Sequence, residues 1–128
     1  QRQYEPILYG WPEGSSRHWC GDRDQGDVWN IKKPARNDLH PTMKPVELME
    51  RSIRNSSRPG EVVLDCFGGS GSTLIAAEKA GRRCFMMELD PKYCDVIVRR
   101  WQEFSGGKAI SEDGQRVFDE VTIQEAPA

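Results

Sequence analysis

The sequence predicts an α/β fold built on a mostly parallel sheet, and three observations carry that expectation. The run Val62-Val-Leu-Asp-Cys66 is apolar and β-branched, as suits a strand buried on both faces. A glycine-rich loop and the helix-forming stretch Thr73-Leu-Ile-Ala-Ala-Glu-Lys-Ala80 follow it. A second strand, Arg83-Cys-Phe-Met-Met-Glu-Leu89, comes next and leads into a further helix. Strand, helix, strand, helix from residue 61 onward is the order of parallel α/β units.

The remaining elements are justified in chain order. Residues 5–11, EPILYGW, predict a short strand, residues 12–27 a polar loop, and VWNI at 28–31 a second strand joined to the first as a hairpin. Residues 32–44 form a basic, proline-containing connector. Pro45 suits the first position of a helix, and Val46, Met49 and Ile53 give that helix one apolar face. The breakers Asn55-Ser-Ser-Arg-Pro-Gly60 end it. Gly81 suits the cap of the 73–80 helix. Asp90 and Pro91 start the last helix, with Tyr93, Ile97 and Trp101 as its stripe and Gly106-Gly107 as its stop. The tail predicts a short hairpin, Lys108–Ile110 with residues 116–123, around Asp113-Gly114. Three regions result: 1–39, a hairpin and basic connector; 40–107, the α/β portion; and 108–128, the tail.

Composition bounds the function. The 128 residues are about one domain's worth of chain. With 37% hydrophobic and 30% charged residues they read as folded and soluble, and no apolar run approaches the roughly 20 residues that span a bilayer. No secretory signal opens the chain, and a cytoplasmic setting is the default. The start at Gln1-Arg-Gln-Tyr reads as a cut piece of a longer protein. Cys20, Cys66, Cys84 and Cys94 show no C-x-x-C pairing, so no zinc or redox site is indicated, and Cys66 and Cys84 read as small core residues. The net charge of −2 divides into +2 over residues 1–60 and −4 over residues 61–128, a difference that a solvated surface accounts for.

The chemistry lies in DCFGGSGST, residues 65–73. In open α/β sheets ligands bind beyond the carboxyl ends of the strands, where this loop falls. Glycines let a backbone approach a ligand, and the next helix offers free N–H groups. Glu88, 17 residues beyond Gly71 at the end of the next strand, sits where an acid can grip ribose hydroxyls. A dinucleotide fingerprint starting at Gly69 would need glycine where Leu74 stands, and a phosphate-binding loop would need a lysine that the loop lacks. A cofactor with a ribose and no phosphate, S-adenosyl-L-methionine, fits better.

At this point the chain resembles a family. DCFGGSGST is similar to the D-x-F-x-G-S-G-[ST]-T loop of the amino-methylating DNA methyltransferases, His40-Pro-Thr-Met-Lys-Pro45 to their H-P-T-x-K-P motif, and Glu88-Leu-Asp-Pro-Lys-Tyr93 to the acidic strand end and helix start that follow. The order and spacing are those of the β-type arrangement, over residues 5 to about 106, and the overall look is that of phage and prophage adenine-specific methylases. The resemblance implies part of a Rossmann-like methyltransferase fold without the strands that carry the catalytic motif. It implies that Asp65, Phe67, Gly68, Gly69, Ser70 and Gly71 wrap the methionine end and ribose of the cofactor, that Thr42 and Lys44 hold its carboxylate, that Ser72 and Thr73 serve at the helix start, and that Glu88 takes the ribose hydroxyls. Cys66 stands where the family usually has proline.

The family's catalytic [DNS]-P-P-[YFW] motif has no counterpart, because the chain contains no Pro-Pro. Asp90-Pro-Lys-Tyr93 is better explained as a helix cap. The expectation is therefore the cofactor-binding C-terminal portion of a site-specific enzyme that methylates N6 of adenine in double-stranded DNA, itself inactive, with the N-terminal catalytic half as its natural partner and exposed sheet edges that favour self-association. N4 of cytosine is the alternative target. A nicotinamide-dependent oxidoreductase domain and a non-catalytic DNA-binding or assembly module are alternatives of other classes.

Single residues carry rival readings. His40 reads as loop packing rather than a base, and His18 as a surface residue. Trp101 reads as core, while Trp11, Trp19 and Trp29 either pack or stack on bases. Arg17, Arg23, Lys32, Lys33 and Arg36 meet phosphates or belong to a solvated connector.

Overall fold

A computed structural model describes residues 3–32 and 43–119. His40, Thr42 and most of the basic connector lie outside the described residues, as does the tail beyond residue 119.

Five elements follow one another among the described residues: α1 (Val46–Ser56), β1 (Val62–Asp65), α2 (Ser72–Lys79), β2 (Arg83–Met86) and α3 (Pro91–Ser105). Pro45 precedes α1 as its extended N-cap rather than standing inside it, and its carbonyl accepts from Leu48 at 3.1 Å. Asp90 caps α3 by accepting from the Lys92 amide, and Gly106 ends it in the left-handed region. The four helix and strand segments expected from residue 61 onward are therefore present, with strands shorter than the apolar runs that mark them.

β1 and β2 form a two-stranded parallel sheet in the register Val62↔Arg83, Val63↔Cys84, Leu64↔Phe85 and Asp65↔Met86. Helix α2 is the crossover between them. Its Ala76 and Ala77, with Ala80 at its C-cap, let α1 come close, and with Ile53 they form the core against which Val46, Met49, Val63 and Cys84 pack. Arg82, at the head of β2, is buried and ties the end of α1 to the end of α2, donating to the Ser57 hydroxyl at 3.0 Å and carbonyl at 2.7 Å, and to the Ala80 carbonyl.

Four further expectations, on the strands, the cysteines, Trp101 and the N-terminal hairpin, need correction. First, the strand run is covered on one face only: Val62, Leu64, Phe85 and Met87, on the face away from the core, are each more than half exposed. Second, Cys66 is exposed rather than core, because the chain leaves the sheet at that residue, whereas Cys84 is partly buried. Third, Trp101 is half-buried, its indole N–H donating to Glu78 at 3.1 Å across the α2–α3 contact. Fourth, residues 5–11 and 28–31 form no strands and no hairpin among the described residues. Pro6 removes a ladder donor, and an isolated two-stranded ribbon has little stability of its own.

Side-chain contacts hold that N-terminal segment instead. The Arg17 guanidinium lies 5.2, 5.9 and 4.9 Å from the ring centres of Tyr9, Trp11 and Trp19, and so serves as packing in an aromatic cluster. The segment is anchored to α1 by the Cys20 amide on the Asn55 carbonyl at 2.8 Å, by paired amides of Gln25 and Asn55, and by Arg51 over the Trp29 ring at 4.4 Å. His18 is exposed and lies 3.6 Å from Glu61. In the tail, the described part of the expected hairpin is one antiparallel bridge, Ile110↔Val117, closed over Ser111 and Gly114, and residues 120–123 of it lie outside the described residues.

Candidate functional site

The site grows out of the carboxyl ends of β1 and β2. Backbone pairing continues past the strands: the Met87 amide donates to the Asp65 carbonyl at 2.9 Å and the Gly68 amide to the Met87 carbonyl at 2.8 Å. The next amide, Gly69, donates to the Glu88 carboxylate at 2.7 Å, whose other oxygen accepts from the Asp90 amide at 2.9 Å. The glycine loop and the distal acid are thus in direct contact. The Asp65 carboxylate accepts from the Phe67 amide at 2.9 Å and shapes the first bend of the loop.

The glycines have distinct reasons. Gly71 has φ +83°, and a Cβ there would lie 3.1 Å from Ile97 of α3, so both the backbone and the space favour glycine. Gly69 has φ +56°, and a Cβ there would meet nothing within 4 Å, so its open side faces unfilled space. Phe67 projects from the loop and is 90% exposed. Ser70, Gly71 and Ser72 are buried, and Thr73 half-buried, at the start of α2.

The segment before α1 meets this loop through the Ser72 hydroxyl, which donates to the Lys44 carbonyl at 2.8 Å. The Lys44 ammonium is not idle: it donates to both carboxylate oxygens of Glu5, at 2.5 and 2.7 Å. The structure therefore brings together Lys44, Asp65, Phe67, Gly68, Gly69, Ser70, Gly71, Ser72, Thr73 and Glu88. Thr42 lies outside the described residues.

Sequence reasoning missed three participants. Arg100, half-buried on α3, donates to the Ser70 carbonyl at 2.6 Å and hydroxyl at 3.1 Å. Burial disfavours its charged form, and the Glu103 carboxylate one turn away favours it. Ile97, already visible as the centre of an apolar stripe, lies under both Gly68 and Gly71. Glu5 is 39 residues from its partner Lys44, and no local pattern could have joined them. The hollows lined by Ser111–Asp113 with Arg116, and by Leu8–Pro12 with His18 and Ser56, include no residue of the loop.

Comparison with known proteins gives the class. An N6/N4 DNA methylase family profile matches residues 9–99. The type II methyltransferase M.BglI of Bacillus subtilis is 32% identical over 132 aligned positions, which are 92% of this chain and 38% of that protein. Among solved structures, the M1.HpyAVI complex with S-adenosylmethionine is 28% identical with a TM-score of 0.55, over 64% of this chain and 43% of that one. The cytosine-N4-specific PvuII DNA methyltransferase is 27% identical with a TM-score of 0.50, over 67% of this chain and 27% of that one. The fold is thus the α/β fold of S-adenosylmethionine-dependent methyltransferases. The chain belongs to the N6/N4 DNA methylase family. It spans 38% or less of the length of the curated relatives it matches.

Proposed function

We propose that this chain forms the S-adenosylmethionine-binding part of a DNA methyltransferase that acts on N6 of adenine. The observation that carries the reading is the contact between the Gly69 amide and the Glu88 carboxylate, with the Lys44 segment tied to the same loop through Ser72. A carboxylate offers about four acceptor sites, which suits it to hold a loop amide and ribose hydroxyls together. The open side of Gly69 and the exposed Phe67 leave room for a nucleoside above the loop. The donor set therefore fits the cofactor.

In this reading Glu88 orients the ribose, the loop amides and the start of α2 hold the methionine end, and Lys44 attracts the cofactor's carboxylate. Lys44 then exchanges one carboxylate for another, releasing Glu5 as the ligand enters. S-adenosylmethionine, when bound, supplies an electrophilic methyl group. These residues contribute positioning and electrostatics to its transfer, a direct displacement in which the amine loses a proton. The amine-positioning tetrapeptide is not among the 128 residues; in this reading a further polypeptide region supplies it, and the chain alone turns over no DNA. Self-association through the exposed sheet edges is the counterpart in isolation.

The adenine assignment draws on the overall similarity of the chain to adenine methylases, since the N4-cytosine enzymes share these motifs. Transfer to N4 of cytosine is the second reading, favoured by the likeness to the PvuII enzyme.

Calorimetric titration with S-adenosylhomocysteine and with NAD tests the proposal. Preferential binding of S-adenosylhomocysteine is expected, weakened roughly tenfold in Glu88→Gln and strengthened in Glu5→Gln. Tighter binding of NAD, or affinity indifferent to Glu88, would overturn the reading. Mass analysis of nucleosides from DNA treated with the completed enzyme separates N6-methyladenine from N4-methylcytosine.

A further inference from the structure

We propose that Arg100 is a positioning residue that holds the glycine loop in its ligand-ready shape. This deepens the cofactor-binding reading above and rests on it. A loop with glycine at 68, 69 and 71 has large conformational freedom in the absence of restraint. The Gly68 and Gly69 amides are fixed from the β2 side. The far half of the loop is fixed from α3.

The Ser70 carbonyl belongs to the peptide that joins Ser70 to Gly71, so the Arg100 bond to that oxygen orients the peptide plane and with it the positive φ of Gly71. The same guanidinium nitrogen also reaches the Ser70 hydroxyl, which fixes the rotamer of a buried side chain. Ile97, one turn earlier on α3, lies 3.1 Å from the place a Cβ would take at Gly68 and at Gly71. Arg100 and Ile97 together make α3 a template: one supplies a charged donor and the other an apolar stop. A charge-assisted bond in partly buried surroundings is about twice as strong as a neutral one, which suits it to restrain a glycine-rich loop.

The test compares Arg100→Met, Arg100→Lys and Arg99→Met in this 128-residue chain. Arg99→Met removes the same charge from a neighbouring position whose guanidinium lies over the Phe118 ring instead of the loop. Two readouts are taken: affinity for S-adenosylhomocysteine, and hydrogen-exchange protection of residues 68–71. Arg100→Met is expected to weaken binding roughly tenfold and to lose protection at 68–71. Arg100→Lys is expected to recover part of both, and Arg99→Met to stay within about twofold of the parent on the same scale.

If Arg100→Met fails to fold, the comparison of Arg100→Lys with Arg99→Met decides the question. Unchanged protection and affinity in the Arg100 variants would overturn the inference. If the parent chain binds no S-adenosylhomocysteine, the cofactor reading fails, and loss or retention of protection at 68–71 still decides whether Arg100 sets the loop.

Discussion

At the scale of single residues, the site depends on backbone shapes that a side chain would spoil. Gly71 combines a left-handed φ with Ile97 packed beneath it. Gly71→Ala is expected to cost about 1–3 kcal/mol, from αL strain plus forced repacking, and to weaken S-adenosylhomocysteine binding; a denaturant titration beside calorimetry checks both. The motif residues were legible because their spacing is local: glycine, serine and acid positions announce a loop and a strand end wherever they fall. Arg100 and Glu5 were illegible for the opposite reason. Each reaches its partner across 30 or more residues of chain, and only folding brings the pairs together. Cys66 was misread because an apolar run carries no mark of the residue at which a strand leaves its sheet.

At the scale of elements, α1 and α2 are joined by an ion-pair bridge as well as by their apolar faces. The Lys79 ammonium, 2.7 Å from Glu50, holds that carboxyl below the ordinary glutamate range, assisted by Arg54 at 3.0 Å and opposed by partial burial. A lowered folded-state value stabilises the fold above the unfolded value, about pH 4.3, and the gain disappears as pH falls through the folded value. Both cations are about half-exposed, so Glu50→Gln is expected to cost only about 0.5–1 kcal/mol at neutral pH and to flatten the loss of stability below about pH 4.3. Thermal melts between neutral pH and pH 3 read the difference. Helices and strands from residue 45 onward were legible because apolar spacing and breakers agreed. The segment before them was not, because its order comes from Arg17 among three rings and from Gln25 against Asn55, contacts that leave no periodic trace.

At the scale of the whole molecule, the sheet has one finished side. Val63 and Cys84 pack into the core while Val62, Leu64, Phe85 and Met87 stand uncovered. Contiguous exposed apolar surface of this kind marks interaction sites. The pattern of an apolar parallel strand does not tell which of its faces the described residues cover. Replacing Leu64 and Phe85 by glutamate is expected to reduce the fluorescence of a bound anilinonaphthalene dye while changing stability by no more than about 0.5 kcal/mol for each solvent-facing change. A large loss of stability would show that the face is already covered in solution.

The ladder that runs on from β1 and β2 into the loop has a consequence for how the chain tolerates change in length. Side chains alternate across a strand, so one residue inserted or deleted between Arg83 and Met87 would reverse the orientations from that point to the end of the extended segment. The carboxylate of Glu88 would then point away from Gly69. Descendants of this gene should therefore accept many replacements at the solvent side of that segment and almost no indels.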